Sequence, residues 1–247
     1  MKDLVVMERL YKNFDDVVAL KNINLKLGKG IIGLIGPNGS GKTTLIRILL
    51  GLIKPTSGKA YCLGFDCWKE STKIRDKIGV MLERPIYPKS LSCRDYLHFI
   101  AEIRGLNYSE TIKQIEDVLS FVELEGEAHR KINTLSAGMQ RRFSLACALM
   151  GDPKLLILDE PTANMDVDGR LRMLNKIKEI YYKKGISVII SSHILPELTK
   201  VCNYIVFMKS GVILDHGPVD YLTDKYKIRV NERDKIEALY LKLVRRI

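Results

Sequence analysis

The chain has 247 residues, enough for one large domain or two small ones around a substantial core. No apolar run approaches the roughly eighteen residues that span a bilayer, and no signal peptide opens the chain, so it reads as soluble or at most peripheral to a membrane. Its 40 Lys and Arg against 29 Asp and Glu give a net charge of +11, which suits nucleic acid, an anionic membrane surface or anionic nucleotides. The basic residues are dispersed, apart from Lys183-Lys184 and Arg245-Arg246, as on an ordinary solvated surface. Cys62, Cys67, Cys93, Cys147 and Cys202 show neither metal-ligand spacing nor pairing and read as reduced core thiols.

In chain order, residues 3–9 and 17–27 are predicted strands, the second alternating through Val18, Leu20, Ile23, Leu25 and Leu27. Between them a predicted turn, Leu10–Asp16, carries Tyr11 and Phe14, which could simply cap the sheet. Gly28-Lys29-Gly30 turns into an apolar run, Ile31–Ile35. Gly36-Pro37-Asn38-Gly39-Ser40-Gly41-Lys42-Thr43-Thr44 follows, and a helical pattern begins at Leu45. Strand, glycine-rich loop and helix are the context in which G-x-x-x-x-G-K-[ST] holds phosphate. Gly39 and Gly41 let the backbone curl with its N–H groups inward, and the helix N-terminus adds partial positive charge. Lys42 would reach the β- and γ-phosphates, and the Thr43 hydroxyl would hold Mg2+. Alone, the stretch could equally be a glycine turn between a strand and a helix.

Gly51 and Lys54–Gly58 stop that helix. A short strand is expected around Ala60–Leu63, a polar helix near 70–77, and a buried strand over Ile78–Leu82 ending at Glu83-Arg84-Pro85. Pro85 and Pro88 break the chain, and from about 86 to 152 its pattern is helical. Ser92–Asp95 resembles a capping box, and Ser109 can cap a helix with Ile112, Ile115, Val118, Leu119 and Val122 at helical spacing. A third helix begins near Ser136 and runs to Gly151. Leu155–Leu158 leads into Asp159-Glu160-Pro161, a buried strand ending in two carboxylates. Asp168 can start a helix stopped at Gly185, and Ser187–His193 is the next strand. Tyr204–Lys209 and Val212–Asp215 pair around Ser210-Gly211, and Ile236, Leu239, Tyr240, Leu243 and Ile247 mark an amphipathic final helix.

Apolar strands that end in polar residues set those residues along the carboxyl edge of a parallel sheet, where ligands bind in open α/β folds. Three strands end this way, at the phosphate loop, at Asp159-Glu160 and at His193. Phosphoryl transfer needs charge neutralisation and an oriented nucleophile. Asp159 is placed to hold Mg2+, usually through water, and Glu160 to accept a proton from the attacking water. The pair could instead cap the turn at Pro161-Thr162. A lone histidine such as His193 more often has a structural role.

Leu135-Ser136-Ala137-Gly138-Met139-Gln140 resembles the Leu-Ser-Gly-Gly-Gln signature of the ATP-binding subunits of ATP-binding cassette (ABC) transporters, and it precedes the Asp159-Glu160 strand as in that family. Pro161–Asp166 resembles the loop that follows, and Ser191-Ser192-His193 the histidine switch. The match covers essentially the whole chain. The resemblance implies a single ABC ATPase domain over 1–247. Residues 1–85 and 153–247 would form a P-loop NTPase (RecA-like) α/β core with an N-terminal antiparallel β subdomain, and 86–152 an inserted α-helical subdomain. It also implies ATP and Mg2+ as cofactors. Gly36, Pro37, Asn38, Gly39, Ser40, Gly41, Lys42, Thr43 and Thr44 would bind nucleotide; Thr43, Asp159 and Glu83 would serve Mg2+. Glu160 would be the general base, and His193 would touch the γ-phosphate. Phe14, in Lys12-Asn13-Phe14, matches the aromatic that stacks on adenine, with Tyr11 as the alternative. Ser136 and Gly138 would act in trans on ATP held by a second ABC ATPase subunit, in a head-to-tail dimer with Asp166 at the interface.

The chain also departs from the family pattern. Glu83 stands where the family usually has a glutamine that senses Mg2+ and water and couples to the membrane subunit; a carboxylate can still join Mg2+ coordination. Ala137 and Met139 replace a glycine and the glutamine of the signature. These variants resemble export-type cassettes of drug, sodium and polysaccharide efflux. The expectation is thus an ATPase, cytoplasmic and peripheral on the inner face of the cell membrane, that powers a separate transmembrane permease. The helical insertion and the Glu83 loop would dock the permease, with Tyr87, Pro88 and Leu91 as contacts. The alternative is a soluble ABC ATPase of iron–sulfur assembly, or one acting on nucleic acid or ribosomes. With Lys42 and Ser136 only 94 residues apart and one cassette in the chain, the long insertions and second cassette of nucleic-acid and translation members are missing, and no nucleic-acid partner is expected.

Overall fold

The computed structural model describes residues 3–88, 90–192, 194–231 and 234–244. The chain divides into two compact units, Met1–Arg75 with Ile189–Ile247, and Asp76–Val188.

The first unit begins with β1 (Val5–Phe14), β2 (Val17–Leu27), β3 (Ile31–Ile35), α1 (Lys42–Leu49), β4 (Ser57–Cys62), β5 (Phe65–Asp66) and α2 (Ser71–Arg75). β2, β1, β4 and β5 lie in that order in a four-stranded antiparallel sheet. The predicted turn over Leu10–Asp16 is mostly strand. Register shifts against β2 between Met7 and Leu10 and around Lys12 let β1 continue to Phe14, opposite Val17. Arg9, at a φ of +46°, lies in the first of these irregularities. Such bulges insert unpaired residues and break the period of two on which a strand is read.

In the second unit the chain forms β6 (Ile78–Met81), α3 (Cys93–Ile103), α4 (Tyr108–Phe121), α5 (Ala137–Leu149), β7 (Leu155–Asp159) and α6 (Val167–Lys184). β6 and β7 pair in parallel, from Ile78 with Leu155 to Met81 with Leu158. Gly79 lets α5 lie directly against β6, because a Cβ there would collide with the Ala148 carbonyl oxygen. Arg104, just past α3, donates from Nη2 to the Ile78 carbonyl at 3.0 Å.

Helix starts follow side-chain capping. Ser92 and Asp95 form the expected capping box of α3. α4 is capped by Asn107 rather than Ser109: Asn107 Oδ1 accepts from the Glu110 N–H at 2.9 Å, and Glu110 Oε2 accepts from the Asn107 N–H at 3.0 Å. Ser109 sits inside the first turn and donates to Asn107 Oδ1. α6 starts from Asp166 rather than Asp168, with Asp166 Oδ1 accepting from the Gly169 N–H at 2.7 Å. It ends at Gly185 with φ +69°, as expected.

Tyr87 faces inward. Its hydroxyl shares a 2.5 Å hydrogen bond with Ser144 Oγ, and its ring packs edge-on against Tyr96 and the fully buried Phe143. Its neighbour Ile86 takes the outer position at 93% exposure.

β8 (Ser187–Ser191), buried at every residue, leads back into the first unit. There α7 (Leu195–Val201), β9 (Tyr204–Lys209), β10 (Val212–Pro218), α8 (Val219–Lys225) and α9 (Lys235–Val244) complete the described chain. β9 pairs in parallel with β3 and antiparallel with β10, giving this unit a mixed sheet beside the antiparallel one. The hairpin and the final helix stand where expected, with Ile236, Leu239 and Leu243 buried; Ile247 lies outside the described residues. All five cysteines are unbridged. Among the described residues no helix is long and apolar enough to cross a membrane.

Candidate active site

The phosphate loop runs from β3, buried at all five residues, into the N-terminus of α1. Two backbone hydrogen bonds fix its place. The Ser40 carbonyl accepts from the Gly211 N–H at 3.0 Å, and the Gly211 carbonyl accepts from the Lys21 N–H at 2.7 Å. The β9–β10 turn thereby pins the loop and is itself pinned to β2. Gly41 has a φ of +104°, and a Cβ there would lie 2.8 Å from the Ala19 carbonyl oxygen. Only glycine suits both that conformation and that space.

The loop's donors fit a polyphosphate. Lys42 Nζ turns back to donate to the Gly36 carbonyl at 2.6 Å and the Pro37 carbonyl at 3.1 Å, so the ammonium sits against the loop. The first turn of α1 carries no acidic residue, and Thr43 and Thr44 bring hydroxyls to it. Pro37, Asn38 and Gly39 are exposed. Ser40 Oγ is buried with no hydrogen-bond partner among the described residues. A buried hydroxyl left so costs about 1–3 kcal/mol, and an anion's oxygens in the loop would supply an acceptor.

Phe14, at the end of β1, is 43% exposed, with the Lys12 ammonium 4.6 Å from its ring centroid; Tyr11 is 37% exposed. Either ring could receive a flat base by exposure alone.

The second unit holds the acidic and signature residues. Asp159 ends β7 after four fully buried residues. Glu160 follows at a φ of +49°, and its carbonyl accepts from the Ala163 N–H at 3.1 Å. The left-handed region costs a residue with a Cβ roughly 1–2 kcal/mol, and such strain clusters at functional sites. Glu83 is exposed and pairs with Arg84 at 3.6 Å. Ser136 caps α5, its Oγ accepting from the Met139 N–H at 3.3 Å. At Gly138 an added Cβ would meet nothing within 4 Å. Ser136 and Gly138 share a concavity of about 350 Å3 with Arg142, Asn164, Asp166 and Arg172.

His193 lies outside the described residues. Beside it Ser191 and Ser192 are buried, and Ser192 Oγ accepts from the Ile194 N–H at 3.0 Å. No group of three or more His, Cys, Asp or Glu side chains is placed to hold a metal among the described residues. Thr43, Glu83 and Asp159 each carry an oxygen donor of the kind that suits a hard cation such as Mg2+.

Arg141 was not anticipated. It is 5% exposed, and its guanidinium reaches two loops, with Nη1 donating to the Leu82 carbonyl at 2.9 Å and Nε to the Ala163 carbonyl at 3.2 Å. Its one trace in the sequence is helical phase, since it lies four residues before Leu145 and seven before Ala148 on the buried face of α5.

The ABC transporter family profile matches residues 20–163, more than half of the chain. The bacitracin transport ATP-binding protein BcrA of Bacillus licheniformis is 38% identical over 220 residues, covering 89% of this chain and 69% of its own. The Fe(3+) ions import ATP-binding protein FbpC of Pasteurella multocida is 33% identical over 221 residues, 89% of this chain and 63% of its own. The solved dimeric structure of a post-hydrolysis state of the ATP-binding cassette MJ0796, bound to ADP and Pi, superposes with a TM-score of 0.79 at 26% identity, covering 87% of this chain and 98% of that one. The α/β P-loop NTPase fold, with its antiparallel and mixed sheets, is that of these ATPases. The chain belongs to the ABC transporter family, as an ATP-binding subunit that hydrolyses ATP.

Proposed function

We propose that this subunit uses Mg2+ and ATP in a head-to-tail dimer with a second ABC ATPase subunit, and drives export through a separate transmembrane permease from the inner face of the membrane. The observation that carries the dimer is Gly138. Nothing within 4 Å in the described chain would obstruct a side chain there, so its lack of one favours close approach from outside. The concavity it shares with Ser136 also holds Arg142 and Arg172, cations that suit an anionic ligand brought by a partner.

In this reading Phe14 stacks on adenine, while the amides of residues 36–44 and Lys42 bind the phosphates. Thr43, Asp159 and Glu83 would hold Mg2+, which when bound would supply charge neutralisation for phosphoryl transfer. Glu160 orients the attacking water and takes its proton. Ser136 donates its hydroxyl and Gly138 its N–H to the γ-phosphate of the partner's ATP, and His193 holds the γ-phosphate from its own side. Asp166 lies at the dimer interface. The single ABC domain spans 1–247, with 86–152 as its helical part. Ile86, Leu82, Phe99 and Ile103 are exposed apolar side chains suited to the permease's cytoplasmic helices.

Two features support export. Glu83 and the Gly-Met signature are the variants that resemble export-type cassettes, and the bacitracin transport relative is more similar than the iron-import one. The central test is Glu160→Gln. It is expected to remove steady-state hydrolysis, keep ATP binding and accumulate an ATP-bound dimer on size exclusion. Hydrolysis at the wild-type rate would remove Glu160 as the base. ATP-driven substrate uptake into inside-out vesicles carrying the co-purified permease tests direction; uptake only into right-side-out vesicles would make it an importer.

A further inference from the structure

We infer that Arg141 is a positioning residue that ties the Glu83 loop to the Glu160 loop. The inference rests on the reading of Glu160 as base and Glu83 as a Mg2+ group. Leu82, whose carbonyl accepts from Nη1, immediately precedes Glu83. Ala163, whose carbonyl accepts from Nε, closes the turn on Glu160 through its own N–H. One planar cation therefore fixes the backbone just before one carboxylate and just after the other. Guanidinium is the group for this task, since its donors form a rigid fork; a lysine is a single point charge on a flexible stem.

Nη2 is buried with no hydrogen-bond partner among the described residues, so the guanidinium is held by its two carbonyl acceptors. Burial pulls the arginine's pKa below its ordinary value, while Glu83, Tyr87, Glu160 and Asp159 act in the opposite sense.

The test uses the full chain in steady-state ATPase, fluorescent-nucleotide binding and thermal melting. Arg141→Met is expected to lower kcat about tenfold or more, as loss of positioning does, with KM and nucleotide affinity unchanged. Arg141→Lys keeps the charge and loses the fork, so its kcat falls with KM unchanged. Wild-type kcat in Arg141→Met, or parallel loss of affinity and kcat, would each overturn the inference. If Arg141→Met fails to fold, Arg141→Lys decides: wild-type kcat overturns the clamp, and a severalfold fall at constant KM supports it. Glu160→Gln measured alongside separates the two readings. Hydrolysis surviving there defeats the base assignment; hydrolysis lost there but intact in Arg141→Met defeats only the clamp.

Discussion

Glu160 combines a backbone that resists a side chain with the carboxylate proposed above as the base. At φ +49° a glycine would sit without strain. Glu160→Gly is therefore expected to melt at or above the wild-type temperature, with a gain of up to about 1 kcal/mol, while hydrolysis is lost. Glu160→Gln keeps the Cβ and should melt like the wild type. A clear loss of stability in the glycine variant would mean that the carboxylate's contacts outweigh the strain. Its place just past a strand end was legible in the sequence, because two carboxylates after four apolar residues mark such an end. Its dihedral was not, since strain is set by the surrounding turn. Arg141 was less legible still. Its acceptors are 59 and 22 residues away, and a charge on a helix reads locally as solvated.

Elements were legible in proportion to how fully they are buried. β3, the first four residues of β7 and the Val188–Ile190 centre of β8 are continuous runs of non-polar residues because water reaches neither face. β1 was read short because its bulges break the alternation, and α7 and α8, at seven residues each, are too brief for a helical period to show. α4 and α6 each start from a cap two positions before the residue read from the sequence, Asn107 for Ser109 and Asp166 for Asp168. For α4 the choice is made by Glu110, three residues after Asn107, which completes a reciprocal box that Ser109 cannot form. Asn107→Ala is expected to destabilise the chain by about 1 kcal/mol, lowering its melting temperature by roughly 2–4 °C. Ser109→Ala should change it by much less. Equal effects in a thermal melt would return the cap to Ser109.

At the scale of the whole molecule, the phosphate loop and the signature belong to different compact units, and the trans reading gives them different tasks. Ser136→Arg is expected to leave nucleotide affinity of the monomer intact and abolish hydrolysis, read by fluorescent-nucleotide titration and phosphate release. Equal loss of both would argue against action in trans. The motifs were legible because each is local; in the proposed reading what joins them into one reaction is assembly, which no stretch of sequence displays. β6 has a further consequence. It is the terminal strand of its sheet, bonded on one side to β7. On the other, the carbonyls of Ile78 and of Leu82 just beyond it are taken by Arg104 and Arg141, and α5 lies close over Gly79. A terminal strand with open carbonyls is a template for any passing extended chain. With these two carbonyls already accepting from arginine, the edge offers a passing strand fewer free acceptors than an uncovered one would.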